Sequence, residues 1–181
     1  MSVWLPNFLL TIARNPVTAL GLPLALGSLS GASTAKVVRG QWYRSLYMPP
    51  GQPPRQTFGI VWPVLYLSMG YASYLATQAI DEAPATLVAD AKLGLALYYG
   101  QLCFNVLWTP LFFGWKQPGI ALLDISFLTG TTYYATALLH HATGGKSTYF
   151  LVPYCMWLTF ATYLNGGIWW LNRGRVLDKV D

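Results

Sequence analysis

Residues 93–115 read LGLALYYGQLCFNVLWTPLFFGW, without a single formal charge. A helix rises ~1.5 Å per residue, so a run of this length reaches roughly 30–35 Å, the thickness of a hydrocarbon core. Within it Tyr98, Gln101, Asn105, Trp108 and Phe112 recur at spacings of three and four, which places them on one helical face. Amides facing acyl chains would be left unsatisfied, so this face must turn toward other helices. The segment therefore predicts a membrane helix and also requires partners for it.

The partners are present. Phe58–Ile80, Ile120–Leu139 and Tyr149–Leu171 meet the same length criterion, and only Asp124 places a charge inside any of them. Asn15–Ala35 is uncharged too, although Pro16, Pro23 and several glycines interrupt it; membrane helices tolerate such residues when neighbours cover the loosened backbone. Its Gly27 and Gly31 form a GxxxG pair suited to close helix contact. The preceding SVWLPNFLLTIAR reads as an interfacial lead-in and not a cleaved signal, because Arg14 follows the apolar run instead of preceding it. The expected architecture is an all-α membrane protein: a five-transmembrane-helix bundle forming one membrane domain over residues 1–181, with spans near 15–35, 58–80, 93–115, 120–139 and 149–171.

Composition agrees. Only 9% of the 181 residues are charged, against 54% apolar and 15% aromatic, whereas a soluble domain carries about 25% charged residues. Cys103 and Cys155 fall on different spans and make neither a disulfide framework nor a zinc pattern. His140 and His141 close the fourth span without a third ligand at metal spacing and read as interfacial. No cofactor is expected. The net charge of +5 sits in loops, which is orientation information and not a nucleic-acid footprint. One side holds Arg14, Lys92 and Lys146; the other holds Lys36, Arg39, Arg44, Arg55, Lys116, Arg173, Arg175 and Lys179. The positive-inside tendency puts the second side in the cytosol. The long cytosolic loop 36–57, KVVRGQWYRSLYMPPGQPPRQT, carries two Pro-Pro pairs and reads as a stiff lid or, alternatively, a surface anchor.

Similar stripes recur on the fifth span, with Tyr154, Trp157, Ala161, Leu164 and Ile168 beside Asn165, and on the second, with Trp62, Tyr66, Met69 and Ser73. Two readings stand: hydrogen-bonded glue between helices, or a cavity with aromatic walls and a few polar anchors. Asp124 lacks the further acids that a proton relay needs and reads as a capped or hydrogen-bonded structural aspartate near the membrane surface. No nucleophile–base pair, carboxylate pair or phosphate-binding glycine loop occurs, so no enzyme chemistry is legible by motif.

The runs WYRSLYMPPGQPP, VWPVLYLSMGYASYL, GQLCFNVLWTPLFFG, LLDISFLTG and LVPYCMWLTFATYLN resemble the translocator protein family, also called the peripheral-type benzodiazepine receptor or tryptophan-rich sensory protein family. The likeness extends from about Pro16 to Trp170 and looks nearer the eukaryotic branch. It implies a five-helix bundle, commonly a homodimer in the lipid bilayer, that binds porphyrins, cholesterol and benzodiazepine or isoquinoline drugs as a receptor or transport protein. It implies the mitochondrial outer membrane, or alternatively ER or Golgi membranes. Carried over by motif, the ligand-binding residues would be Tyr43, Trp62, Asn105, Trp108, Trp157, Ala161 and Leu164. Some bacterial members are credited with light-dependent porphyrin breakdown that needs tryptophans matching Trp62 and Trp157, both present here.

Two departures stand out. The family's first loop usually reads KPSWHPP; here Met48-Pro-Pro-Gly51-Gln-Pro-Pro lacks the basic residue and the tryptophan, which implies a looser lid. The cholesterol-recognition pattern at the end of the fifth helix is broken, because after Leu158 and Tyr163 the next basic residue is Arg173, beyond the permitted spacing. Gly167 and Trp170 stand where the animal pattern has tyrosine and arginine. Porphyrin is therefore expected ahead of sterol.

Overall fold

A computed structural model describes residues 4–175; Lys179, counted above among the cytosolic basic residues, lies outside them. The described residues form only helices: α1 (Asn7–Arg14), α2 (Pro16–Arg39), α3 (Gln41–Arg44), α4 (Arg55–Glu82), α5 (Ala85–Thr109), α6 (Pro118–Ala142) and α7 (Thr148–Asn172), with a π-helical turn at Pro110–Gly114. Prolines mark several starts, preceding α4 and α5 and opening α2 and α6, where a missing N–H removes nothing from the helical ladder. Asn15 caps α2 by accepting from the Val17 N–H at 2.9 Å.

Five helices are 24 to 28 residues long, and they overrun the expected spans. Instead of starting at Leu93, α5 begins at Ala85; α2 runs past Ala35 to Arg39, and α4 starts at Arg55. Charge limits what lipid accepts, but it does not stop the backbone ladder, so the sequence reading of apolar runs underestimates each helix. By length and hydropathy alone, α2 and α4 are apolar enough to cross a membrane. Large apolar side chains stand outward along the helices, among them Ile60, Val64, Leu107, Leu123, Phe127 and Met156. An apolar exterior around a partly polar interior is the arrangement lipid demands.

Glycines set the closest helix contacts. At Gly70 a methyl group would collide with the Ala19 carbonyl and come within 2.8 Å of Leu20 Cα, so α2 and α4 touch backbone to backbone. The Tyr66 ring occupies the space beside Gly27, whereas Gly31 has open space before it. Only half of the GxxxG pair therefore serves packing. Met69, Leu95, Leu128, Tyr154 and Leu158 fill the shared core.

At one end, α1 lies against α4, with Ala13 fully buried and Phe8 outward. Arg14 clamps Asp81 from two nitrogens, at 3.0 and 2.7 Å. At the other end, residues 45–50 cross the terminus of α7. Asn172 exchanges two hydrogen bonds with the Tyr47 backbone, at 3.0 and 2.9 Å, and Tyr163 donates to the Pro50 carbonyl at 3.0 Å. Pro49 seats on Gly167, where an added Cβ would come within 2.6 Å of the proline ring. Where the family's tryptophan is missing from this loop, α7 supplies these anchors.

Candidate ligand cavity

Between α2, α4, α5, α6 and α7 lies a cavity of about 460 Å³, bounded at one end by Tyr43 and Gln52 of the connection 40–54, which is shorter than the expected loop 36–57 because α2 and α4 take its two ends. This is within the range of small-molecule sites, and its wall is mostly apolar and aromatic. The loop contributes through a division of labour in its WY pair. Trp42 is buried against Phe112, ring centroids 6.0 Å apart, while Tyr43 faces the cavity.

The π-turn follows from Pro110. A proline has no N–H to continue the ladder and its ring crowds the preceding carbonyl, so the next closure widens, with the Trp115 N–H donating to the Pro110 carbonyl at 2.8 Å. Both Phe112 and Phe113 then reach the cavity wall. Trp108 stacks on Phe112 at 4.9 Å and 23° and donates its ring N–H to Asn165 Oδ1 at 2.9 Å. That donor is committed to the protein, which leaves the face of the ring for a guest.

Deeper in, a one-way hydrogen-bond chain crosses three helices. Tyr66 donates to Asn105 Oδ1 at 3.0 Å, Asn105 donates to Tyr154 Oη at 3.1 Å, and Tyr154 donates to Gln101 Oε1 at 2.8 Å. The two readings of the polar stripes are thus divided along the bundle. Gln101 and Tyr154 are fully buried glue, whereas Tyr66 and Asn105 also line the cavity. With its proton given to Asn105, the Tyr66 oxygen presents lone pairs; Asn105 retains one amide hydrogen beyond that given to Tyr154.

Of the seven site residues expected from the motifs, Tyr43, Trp62, Asn105, Trp108, Ala161 and Leu164 line the cavity together. Trp157 stands one layer back, edge-on to Trp62 at 6.4 Å and to Phe58 at 5.6 Å, with its ring nitrogen buried and without a hydrogen-bond partner among the described residues. The sequence reading missed the wall formed by α2, including Gly31 and Thr34, and the loop-end residues Gln52 and Arg55. The Gly- and Ser-rich composition of 27–34 was the available signal for a thin wall.

Asp124 departs from its expectation. It is buried, but its Oδ2 has no hydrogen-bond partner among the described residues. Because α6 begins at Pro118, Asp124 lies beyond the first turn, where the N–H groups a cap would use are already paired within the helix.

The sequence profile of the TspO/MBR family matches residues 19–171. A Bos taurus protein named Translocator protein is 41% identical over 162 residues, covering 88% of this chain and 92% of the relative. A Schizosaccharomyces pombe Translocator protein homolog is 36% identical, covering 90% and 94%. The Tryptophan-rich sensory protein of Cereibacter sphaeroides is 33% identical, covering 88% and 90%. With an all-helical fold, an apolar exterior and this match over most of its length, the chain belongs to the TspO/MBR family and is an integral membrane protein.

Proposed function

We propose that the protein binds flat hydrophobic ligands in the cavity and passes them to or from the membrane, with porphyrins ahead of sterols. Family membership supports ligand binding or transport in a membrane at a coarse level; the finer reading rests on the cavity. The observation that carries it is the convergence of Tyr43, Trp62, Trp108 and Phe113 with Asn105 on one space of about 460 Å³. Aromatic faces suit a planar guest, and Ala161 keeps the α7 wall thin. A sterol site at the end of α7 is disfavoured, because Gly167 is covered by Pro49 and leaves no room there for the tyrosine of the animal pattern.

The test is a titration with protoporphyrin in nanodiscs, followed by quenching of tryptophan fluorescence. Ala161→Phe keeps every tryptophan and fills the cavity, so it should weaken quenching at least tenfold. Unchanged quenching would remove the cavity from the function.

In this reading the five long helices all span the bilayer, with the connection 40–54 between α2 and α4 cytosolic. Pairing into a homodimer uses the Ala96 and Gly100 edge of α5, where Gly100 has open space before it. Crosslinking in lipid that yields only monomer would exclude that pairing. The mitochondrial outer membrane is the location the family likeness favours, with ER or Golgi as the alternative, and fractionation decides between them.

A second reading, light-dependent porphyrin degradation with dioxygen as the oxidant, draws support from the Trp62–Trp157 contact. Trp62 faces the cavity and touches a second indole behind it at 6.4 Å, a geometry suited to passing an electron vacancy inward. Bleaching of bound porphyrin under light, no faster than in a Trp62→Phe, Trp157→Phe variant, would end this reading.

A further inference from the structure

Charge is divided unequally between the two ends of the bundle. At the end where α1 meets α4, Arg14, Lys92 and Lys146 stand with Asp81, Glu82 and Asp90, and Arg14 is already paired with Asp81. At the loop end, Lys36, Arg39, Arg44, Arg55, Lys116, Arg173 and Arg175 share the surface with no exposed acid among the described residues; Asp124 is buried within α6. Residues 176–181 add Asp178, Lys179 and Asp181 by sequence, which leaves the excess cationic.

Two of these cations are held on aromatic rings where α7 ends. Arg173 lies over Trp170, its guanidinium 3.2 Å from the ring centre, and Arg175 lies over Tyr47 at 3.9 Å. Gly174 between them has a φ of 80°, a conformation that glycine adopts without strain. The chain turns there, and Arg175 Nη1 donates to the Ser45 carbonyl at 3.2 Å and to Asn172 Oδ1 at 2.9 Å. Both bonds use the same nitrogen, and neither arginine makes an ion pair among the described residues. Trp170 and Tyr47 are exposed, as is Trp115 beyond the end of α5. The ring nitrogen of Trp169 sits beside Gly119 at the start of α6, so α6 and α7 meet at this level. Exposed indoles and phenols settle where acyl chains give way to headgroups. A guanidinium stacked on such a ring is thereby held near phosphate depth, with a planar fork of donors that matches phosphate oxygens. A soluble anion would use the cations alone. The exposed rings beside them call for a partner that is also apolar, and a phospholipid is both.

We propose that Arg173 and Arg175, held on Trp170 and Tyr47, form a headgroup site on the outer rim of the bundle that selects anionic phospholipids of the leaflet at the loop end. It rests on the reading that the long helices span the bilayer, and not on any guest of the cavity. A zwitterionic lipid carries the same phosphate, but its ammonium group brings a positive charge to a surface that already has an excess of them. An anionic lipid adds net attraction to each nearby Lys or Arg, and that attraction falls off within a Debye length. Arg44, beside Ser45, and Arg39 at the end of α2 enlarge the positive surface around the site.

The experiment uses a Trp4→Phe background, which removes the exposed tryptophan of the opposite end, in nanodiscs of phosphatidylcholine and phosphatidylglycerol in equal parts. One lipid at a time is brominated near the glycerol end of its chains, and quenching of tryptophan fluorescence reports which lipid occupies the rim. Phosphatidylglycerol should compete as though bound about threefold more tightly, and higher ionic strength should shrink that preference. Arg173→Gln with Arg175→Gln should remove most of it, whereas lysine at both positions should keep most of it. Lys92→Gln with Lys146→Gln, at the opposite end, should leave it unchanged. Equal competition by the two lipids, as expected if an acidic protein and not a lipid meets this surface, would overturn the site. So would a preference that ignores salt, or one lost equally in both pairs of glutamine variants. If neither lipid quenches, the bilayer-spanning reading falls with the site; if both quench equally, only the site falls. Should the double variant not fold, Arg173→Gln alone leaves both Arg175 hydrogen bonds in place. It should cut the preference by about half, and an unchanged preference refutes the proposal.

Discussion

Asn105 makes two side-chain hydrogen bonds while lining the cavity. Its carbonyl accepts from Tyr66, and one amide hydrogen goes to Tyr154, so it joins α4, α5 and α7 while facing a guest. Hydrogen bonds between membrane helices average ~0.6 kcal/mol and reach about 1.7. Asn105→Leu breaks two of them, so a loss of roughly 1–3 kcal/mol is expected, measurable by denaturant titration in mixed micelles, together with weaker porphyrin quenching. Tyr66→Phe removes one bond and the lone pairs presented to the cavity, and should cost about half as much stability. If Asn105→Leu unfolds the protein no more easily than the native chain, the chain from Tyr66 to Gln101 does not hold these helices together. The amides were legible as interior residues from their spacing. Which of them touched one another was not, because spacing fixes the face of a helix but not its rotation against a neighbour.

Helix contacts turn on a few small residues. Gly70→Ala forces a methyl group against the Ala19 carbonyl and the Leu20 Cα, and backbone cannot yield as a side chain does. Prising α2 from α4 should cost about 1–3 kcal/mol, seen as a lower midpoint of thermal unfolding in detergent. Gly130→Ala meets open space and should leave that midpoint unchanged or slightly raised, because alanine favours helix. Equal behaviour of the two variants would show that the α2–α4 contact carries no packing energy. At the other end, Gly167→Val displaces Pro49 from its seat on α7 and should loosen the 45–50 crossing. Faster proteolysis of that loop, and faster porphyrin dissociation, are the expected results. The prolines of this loop announced stiffness in the sequence. Its anchorage on Asn172, Tyr163 and Gly167 could not be read there, because those partners lie more than a hundred positions away.

For the molecule as a whole, membrane seating and pH response follow from where charge is placed. Photolabelling from within the acyl phase should tag Leu107, Leu123 and Phe127, which stand exposed, while sparing Asn105 and Trp108. Equal labelling of both sets would place the polar stripe against lipid and contradict the bundle. Outside the membrane, the Arg14 guanidinium hydrogen-bonds Asp81 and lowers its carboxyl pKa below the ordinary value of 3.8. A lowered folded-state value means that the contribution is present above about pH 4 and disappears as pH falls through the lower folded value. The pair is half exposed, so its worth is at most about 1 kcal/mol. Acid titration of Asp81→Asn against the native chain should show a stability difference near neutrality that closes below that range. A difference that stays constant with pH would assign the effect to something other than the ion pair.

Length, charge and spacing were enough to specify a helical membrane protein, the inward faces of its long helices and most of the cavity's aromatic residues. Those properties are local: acyl chains exclude charge, and a period of three or four places side chains on one stripe. Tertiary structure alone decided that Trp157 stands behind Trp62, that α2 supplies a thin wall, that Asp124 Oδ2 is buried without a hydrogen-bond partner among the described residues, and that Arg55 reaches the cavity. Each depends on how two elements distant in sequence rotate and approach one another, and that is settled by close packing between surfaces no single segment contains.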